Sequence, residues 1–304
     1  MPDLARPDNW IPAAAQVFER VQTMFEKGLL AGKRILITGG GSGLGAAMAR
    51  RFAELGAELV ICGRRPDMLE ATATAIREAF GGRVEAIPCD IRDGAAVEAM
   101  IKTIWQDAPL DILVNNAAAT FIAQTEHLSF RAADAILGPT LHGAMYCTLA
   151  AGKRWIEAGH KGVVLSILST STITGRAFTV PSAMAKSAVL AMTKSLAVEW
   201  GPKGIRLVAI APGAFPTAGA TGQLRPEGRD SNWAARNPMG RTGEHRELAD
   251  LASFLISDAG SYINGEMVVQ DGGAHLRSSG AEDLLAWSEA QWEAQRTARS
   301  KGRT

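Results

Sequence analysis

The feature that most limits what this 304-residue chain can fold into is a glycine-rich segment between a strand pattern and a helix pattern. The segment 38–45 reads TGGGSGLG, follows the apolar run Ile35-Leu36-Ile37, and precedes an amphipathic helix pattern at 46–55. Glycines permit a tight turn and let a phosphate approach the backbone, while the next helix offers free N–H groups. This context predicts the pyrophosphate-binding loop of a dinucleotide-binding protein.

Short β-like runs alternate with longer helical patterns along the chain. Strands are predicted at 34–38, 58–62, 84–89, 111–114, 162–167, 205–210 and 267–270. Helical patterns, including 67–80 and 182–200, separate most of them. The alternation predicts an α/β fold of the doubly wound type, a parallel sheet with helices on both faces (Rossmann fold), in a single domain.

The domain is predicted to cover 32–275, with helical extensions at 1–31 and 276–304. The first extension carries a helical pattern at 13–27, and the second places Leu284, Leu285, Trp287 and Trp292 at roughly helical spacing. The polar segment 217–241 contains glycine and proline and follows the end of a strand. We interpret it as a lid over a ligand crevice.

Composition and charge exclude several classes of protein. The formal net charge of +1 gives no reason to expect nucleic acid or an anionic membrane surface as a partner. No apolar run approaches the ~20 residues that a membrane span needs. The acidic residues Asp3, Asp8 and Glu19 near the start are unlike a signal or transit peptide. We therefore expect a cytoplasmic protein with no membrane segment.

Cysteines and histidines show no spacing typical of a disulfide framework or a metal site. The three cysteines, Cys62, Cys89 and Cys147, are scattered without a CxxC pair, which favours buried, reduced thiols. The five histidines lack metal-ligand spacing, so no metal site is expected.

The end of the second predicted strand indicates which dinucleotide binds. It reads Cys62-Gly63-Arg64-Arg65, where an acidic residue would hydrogen-bond the 2′-hydroxyl of NAD. The guanidinium of Arg64 instead suits a 2′-phosphate. The sequence therefore predicts NADP(H), against the alternative that Arg64 and Arg65 form a solvated surface pair.

Together these motifs resemble the short-chain dehydrogenase/reductase superfamily over about residues 33–273. The TGxxxGxG run matches its cofactor loop, and Asn115-Asn116-Ala117 resembles its NNA element. Asp90 matches its adenine-contacting acid, and Pro212-Gly213 resembles the turn on the nicotinamide side. The residues expected to contact the cofactor are Gly39, Gly41, Ser42, Gly43, Leu44, Gly45, Arg64, Arg65, Asp90, Ile91, Asn116, Ala117, Lys186, Pro212, Gly213, Phe215 and Thr217.

Within the superfamily, the chain is most similar to 2,4-dienoyl-CoA reductases. The similar segments are 115–121 (NNAAATF), 181–186 (PSAMAK), 195–201 (SLAVEWG) and the tail 279–302. The resemblance implies a small-molecule substrate such as an acyl-CoA thioester, a place in fatty acid metabolism, and a homotetramer. The helix pattern at 182–200, rich in small and apolar residues, is the expected shared face.

The catalytic pattern departs from that of the superfamily. Lys186 of the Tyr-x-x-x-Lys pair is present, but Ser182 stands in the tyrosine slot four residues earlier. Ser169 matches the superfamily's serine. Mitochondrial dienoyl-CoA reductases place a tyrosine upstream, and the matching residue here is Ser171. Two asparagine positions are also changed: the usual one matches Thr140, and the one used by the mitochondrial type matches His142.

The missing tyrosine restricts the chemistry. Ketone reduction yields an alkoxide that needs a proton, and a serine hydroxyl is a far weaker acid than tyrosine. Reduction of an enoyl thioester instead places charge on an enolate oxygen, which hydrogen-bond donors can hold while water supplies the proton. The expected donors are Ser169, Ser182 and His142, with Lys186 positioning the nicotinamide ribose. A structural role for His142 is the alternative.

Three functions remain open from the sequence. The first is an NADP(H)-dependent reductase of an enoyl- or 2,4-dienoyl-CoA-type thioester. The second is a carbonyl reductase or alcohol dehydrogenase whose proton donor has changed, with His142 as the candidate. The third is a catalytically silent NADP-binding protein, because an intact cofactor loop beside an altered catalytic set would suit a sensor or assembly partner.

Overall fold

The protein is described by a computed structural model at residues 25–217, 219, 232–277 and 282–301. Residues 13–24 of the predicted helix at 13–27, and residues 218 and 220–231 of the predicted lid at 217–241, lie outside these residues. The predictions for the two segments, and for the extension boundaries, therefore stay predictions.

Seven strands form one parallel sheet in the order β3-β2-β1-β4-β5-β6-β7. The chain crosses from one edge to the middle between β3 and β4, so the strand order reverses beside β1 and β4. Open α/β sheets bind ligands at such a switch point, outside the carboxyl ends of the strands. The strands are β1 Arg34–Thr38, β2 Glu58–Gly63, β3 Val84–Pro88, β4 Ile112–Asn115, β5 Gly162–Ile167, β6 Ile205–Pro212 and β7 Met267–Gln270.

Helices cover both faces of the sheet and connect its strands. Among the described residues they are α1 Gly43–Glu54, α2 Pro66–Phe80, α3 Gly94–Asp107, α4 Phe130–Leu137, α5 Gly143–Ala158, α6 Ser171–Thr174, α7 Val180–Trp200, α8 His245–Ile256 and α9 Glu289–Lys301. Short 3₁₀ turns occur at Thr125–His127, Gly201–Lys203, Asp258–Gly260, Ala274–Leu276 and Glu282–Ala286. The predicted single-domain, doubly wound fold is confirmed.

The core consists of two apolar layers, one on each side of the sheet. Strand residues alternate between the layers: Ile35 and Ile37 face α1 and α8, whereas Leu36 faces α3 and α5. Every residue of β1 is buried. Parallel sheets are buried on both faces, which is why the strands could be predicted as nearly continuous apolar runs.

The first helix begins earlier than the pattern predicts. α1 starts at Gly43, inside the glycine-rich segment, rather than at 46. The loop therefore runs directly into the helix, and the free N–H groups of its first turn lie within the glycine segment itself.

α4 and α5 are two parts of one helix, joined by a π-helical turn at Gly138–His142. Pro139 lies in this turn. Proline has no N–H to donate and its ring crowds the preceding turn, so the regular hydrogen-bond ladder cannot pass through it. The π turn packs against α7, which carries Ser182 and Lys186.

Candidate functional site

The glycine-rich loop packs so closely that a side chain at several of its positions would clash. A Cβ at Gly45 would lie 2.3 Å from the carbonyl oxygen of Gly39, and one at Gly40 would lie 2.7 Å from Ile61. Gly39 and Gly43 have φ values of 67° and 55°, a region that side chains disfavour. Glycine is therefore required here both by conformation and by close backbone approach. The loop fits the cradle of a dinucleotide pyrophosphate.

Basic side chains lie at the carboxyl ends of β2 and β3. Arg64 and Arg65 are exposed, and Arg65 donates a hydrogen bond to the hydroxyl of Ser42 in the glycine loop at 3.2 Å. Arg92 pairs with Asp90 at 2.5 Å. The hydrogen bond from Arg92 holds the pKa of Asp90 below its usual value, and the charge of Arg64 adds to this effect. Arg92 was not among the expected site residues; a cation two residues beyond the expected adenine contact is the signal that could have indicated it.

Asn116 ties the end of β4 to the glycine loop. Its side-chain amide donates to the carbonyl oxygens of Thr38 and Gly39 at 2.9 and 3.3 Å. The Thr38 hydroxyl accepts the backbone N–H groups of Asn116 and Ala117 at 3.0 and 3.1 Å. The NNA element thus fixes the geometry of the loop across the switch point. Any effect of Asn116 on the cofactor would therefore pass through the loop backbone that its side chain holds in place.

The remaining expected cofactor residues lie at or near the carboxyl ends of the strands. Gly41 packs against Leu69, and Ile91 is buried against Gly143.

A Cβ at Gly213 would lie 2.5 Å from Asp271, so the turn after β6 also requires glycine. Beyond that turn, the chain passes buried Phe215 and reaches Thr217, whose Cγ2 would lie 3.3 Å from a Cβ at Gly43. The end of β6 and the glycine loop therefore meet. Leu44 and Pro212 are half-buried.

Lys186 lies on α7 with its side chain buried beneath the end of β5. Its ammonium group donates to the carbonyl oxygen of Ile167 at 2.5 Å. Burial lowers the pKa of Lys186 from 10.5 to about 8, because the charged form loses its hydration. Ser182 is one turn earlier on α7 and half-buried, and its hydroxyl has no partner in the described part of the chain. The helix thus presents a free hydroxyl at Ser182 and a buried cation at Lys186 one turn beyond it.

A pair of serine hydroxyls stands where β5 leads into α6. Ser169 and Ser171 have their Oγ atoms 3.1 Å apart, and the backbone N–H of Ser171 also donates to Ser169 Oγ at 3.3 Å. Ser171 is buried. In the sequence, Ser171 is singled out only as the residue at the position of the upstream tyrosine. The presence of a second hydroxyl two residues after Ser169 is the signal that could have indicated this pair.

Thr140 and His142, the residues expected at the two asparagine positions, lie in different surroundings. The buried hydroxyl of Thr140 pairs with both backbone groups of Ala119, accepting from its N–H at 3.0 Å and donating to its carbonyl at 3.3 Å. It fixes the loop after β4 to the π turn. His142 is exposed, and its ring stacks on Tyr146 with 6.1 Å between centroids. No hydrogen bond of the His142 ring occurs within the described residues, and its catalytic role stays a prediction.

Phe178 links the segment before α7 to the loop after β4. It is the one non-glycine residue with a positive φ, 64°, among those described. Its carbonyl oxygen accepts the N–H of Ala123 at 3.0 Å, which links the segment before α7 to the loop after β4. The ring is 55% exposed. The sequence contains no signal for this conformation, because it depends on a contact between distant loops.

Other kinds of site are not found in the described part of the chain. No group of three or more potential ligands could hold a metal ion in the residues that were described. No described helix is both long and apolar enough to cross a membrane. All three cysteines are buried free thiols, and burial raises the pKa of each.

Comparisons with known proteins decide the family. A family profile described as enoyl-(acyl carrier protein) reductase matches residues 39–275. A solved structure of a short-chain dehydrogenase from Bacillus anthracis superposes with a TM-score of 0.74 at 41% identity, covering 81% of this chain and 98% of that one. This chain belongs to the short-chain dehydrogenase/reductase family. As a member of that family it is an oxidoreductase, and the resemblance seen in its sequence is confirmed.

Relatives within the family have different described activities. A Bacillus subtilis protein described as a probable 2,4-dienoyl-CoA reductase is 41% identical over 247 residues, covering 80% of this chain and 97% of that protein. A structure from Beutenbergia cavernae, described as a putative NAD(P)-dependent gluconate 5-dehydrogenase with bound NADP, has a TM-score of 0.76 at 31% identity. It covers 81% of this chain and 98% of its own. The family is therefore certain, whereas its members differ in substrate.

Proposed function

We propose that this short-chain dehydrogenase/reductase is an NADP(H)-dependent reductase of an enoyl- or 2,4-dienoyl-CoA-type thioester. The observation that carries the proposal is the free hydroxyl of Ser182 in the tyrosine slot, one turn before buried Lys186. This arrangement supplies hydrogen-bond donors and positive charge but no side chain with the acidity of tyrosine. The relative described as a probable 2,4-dienoyl-CoA reductase supports the same reading.

The choice of NADP(H) rests on the basic residues beside the glycine loop. Arg64 and Arg65 are exposed at the end of β2, where the adenosine ribose of a dinucleotide is expected. Arg65 already contacts Ser42 of the loop. Two guanidinium groups in this position favour a 2′-phosphate over a 2′-hydroxyl, because charge-assisted hydrogen bonds are the stronger ones.

The proposed mechanism separates hydride transfer from proton transfer. When bound, NADPH supplies the hydride that adds to carbon. The chain's own residues stabilise the charge that then develops on the thioester oxygen: Ser169 and Ser182 donate hydrogen bonds to it, and the ammonium of Lys186 adds a positive field. His142 is retained as a further candidate donor. A water molecule supplies the proton that completes the product, so no acidic side chain is needed.

A carbonyl reductase or alcohol dehydrogenase is the second candidate. The structure described as a gluconate 5-dehydrogenase favours it, because that protein is similar over almost its whole length. In this reading His142, exposed on the helix turn that packs against α7, would supply the proton. A catalytically silent NADP-binding protein is the third.

One substrate screen distinguishes these functions. Oxidation of NADPH is followed with crotonyl-CoA, a 2,4-dienoyl-CoA and a panel of ketones. The proposal predicts turnover of the thioesters with little activity on ketones. Activity on ketones alone would support the second candidate, and tight NADPH binding without any turnover would support the third.

We also propose a cytoplasmic homotetramer acting in fatty acid metabolism. α7 is the proposed shared face, on which Met184 and Val198 are exposed. α5 packs beside it and exposes Leu149 and Ile156. Exposed apolar side chains on two neighbouring helices are typical of a surface covered by another protein chain.

A further inference from the structure

The serine pair at the end of β5 contains one buried and one accessible hydroxyl. Ser171 is 7% exposed, whereas Ser169, at the end of β5, is half-buried. Their Oγ atoms are 3.1 Å apart, and the N–H of Ser171 lies 3.3 Å from Ser169 Oγ. Within the described residues, neither hydroxyl has another side-chain or backbone partner.

The burial of Ser171 determines which hydroxyl donates. A hydroxyl has one proton to donate and two lone pairs to accept with. If Ser169 donated to Ser171, the proton of the more buried hydroxyl would be left without an acceptor, which is unfavourable. If Ser171 donates, its proton is satisfied, and Ser169 Oγ accepts both the O–H and the N–H of Ser171.

We propose that Ser171 is a positioning residue that makes Ser169 act only as a donor toward the substrate oxygen. With both lone pairs of Ser169 occupied, its proton is the one part of the hydroxyl left to interact with a substrate. The two donated hydrogen bonds also polarise the Ser169 O–H bond and strengthen the bond that it makes. The inference rests on the proposed function, in which the oxygen that gains charge belongs to a thioester.

A double-mutant cycle tests whether Ser171 acts through Ser169. Turnover by Ser169→Ala, Ser171→Ala and the double variant is compared with the native protein under saturating NADPH. Ser169→Ala is expected to lower kcat by about 100-fold, as for loss of one oxyanion donor. Ser171→Ala is expected to lower kcat by about 3- to 10-fold with little change in KM. In the Ser169→Ala background, removing Ser171 should cost less than about 2-fold, since the hydroxyl it orients is gone.

A binding measurement gives a second readout that does not depend on turnover. Acetoacetyl-CoA forms an enolate that absorbs in the ultraviolet, and donors to its oxygen raise the ionised fraction in the complex with NADP⁺. Ser171→Ala should lower that fraction, and Ser169→Ala should lower it further.

Thr174→Val is the matched control for both readouts: it removes a hydroxyl that caps the same short helix without touching Ser169. It should leave kcat and the ionised fraction within about 2-fold.

Each outcome decides the inference separately from the proposed function. Suppose that the protein turns over thioesters but that the losses in kcat of Ser169→Ala and Ser171→Ala simply add in the double variant. This result would overturn the role of Ser171, and so would a kcat of Ser171→Ala equal to that of Thr174→Val. If only ketones were turned over and the effects of the Ser169 and Ser171 variants were still not additive, the thioester proposal would be overturned. The positioning role of Ser171 would stand. Absence of turnover and of enolate stabilisation would overturn both, because no developing charge would exist for the pair to hold.

Discussion

At the scale of single residues, the charge proposed to act in catalysis at Lys186 is also a cost to folding. Its ammonium is buried beside the carbonyl of Ile167, and burial lowers its pKa to about 8. Below that pH the folded protein holds a charge that has lost most of its hydration. The pKa in the unfolded chain is close to 10.5, so the stability of the native protein rises as the pH rises from about 8 to 10.5.

Replacing Lys186 should therefore stabilise the protein while abolishing its activity. Lys186→Met is expected to raise the free energy of unfolding at pH 7 by up to about 3 kcal/mol, and the gain should disappear near pH 10.5. Denaturant unfolding at both pH values measures the effect. Lys194→Met, at an exposed lysine on the same helix, is the control and should change stability little. A destabilised Lys186→Met at pH 7 would show that burial of this charge carries no penalty.

Arg64 should determine the cofactor preference. A charge-assisted bond to the 2′-phosphate contributes about 1.5–3 kcal/mol, which corresponds to roughly 10- to 150-fold tighter binding of NADPH than of NADH. Arg64→Asp is expected to narrow or reverse this ratio, because a carboxylate repels the phosphate. Dissociation constants from fluorescence titration measure it, with Arg50→Asp on α1 as a control of equal charge change. Equal affinities for the two cofactors in the native protein would contradict the prediction.

Individual residues also show what the sequence could not provide. The glycines could be predicted because their run is continuous and lies between a strand and a helix. Asn116 could be predicted from a second short motif, Asn115-Asn116-Ala117, at the end of β4. Spacing could have suggested Ser171 and Arg92 as candidates. Whether their side chains turn toward Ser169 and Asp90 depends on orientation, which spacing alone does not give. The conformation of Phe178 depends on a hydrogen bond to Ala123, 55 residues away in the chain.

At the scale of elements, strands were easier to predict than helix boundaries. Strands buried on both faces appear as apolar runs, and β5 and β7 match their predicted bounds. β6 continues to Pro212, two residues beyond its predicted end, because it pairs with β7 as far as Gln270. The π turn at Gly138–His142 was not predicted, since Gly138-Pro139 alone would suggest a helix end rather than a wider turn.

The loop-to-helix junction gives a prediction at this scale. Gly45→Ala places a Cβ 2.3 Å from the carbonyl oxygen of Gly39, so the backbone of the loop must move. NADPH binding is expected to weaken by more than about 10-fold, or 1.4 kcal/mol. Gly94→Ala, at the start of α3, is the control, because its nearest neighbour would be Tyr146 at 3.7 Å. Unchanged NADPH affinity in a folded Gly45→Ala protein would mean that the loop does not hold the dinucleotide.

At the scale of the whole molecule, the single doubly wound domain followed from the alternation of strands and helices alone. Its assembly is a further prediction: light scattering at micromolar concentration should give the mass of a tetramer. Val198→Glu, at a residue 79% exposed on α7, should reduce that mass because it buries an unpaired charge in the shared face. Phe130→Glu, 92% exposed on α4, is the control and should leave the mass unchanged. A native monomer would contradict the proposed assembly.

In the proposed reaction the hydride reaches a carbon conjugated to a thioester rather than the carbon of a ketone. The most direct measurement uses NADPH carrying deuterium at the transferred position, with a 2,4-dienoyl-CoA as substrate and mass and NMR analysis of the product. We expect one deuterium on a carbon of the acyl chain, with the thioester carbonyl intact and one alkene reduced. An unlabelled acyl chain, together with deuterium on the alcohol carbon of a ketone substrate in the same assay, would contradict it.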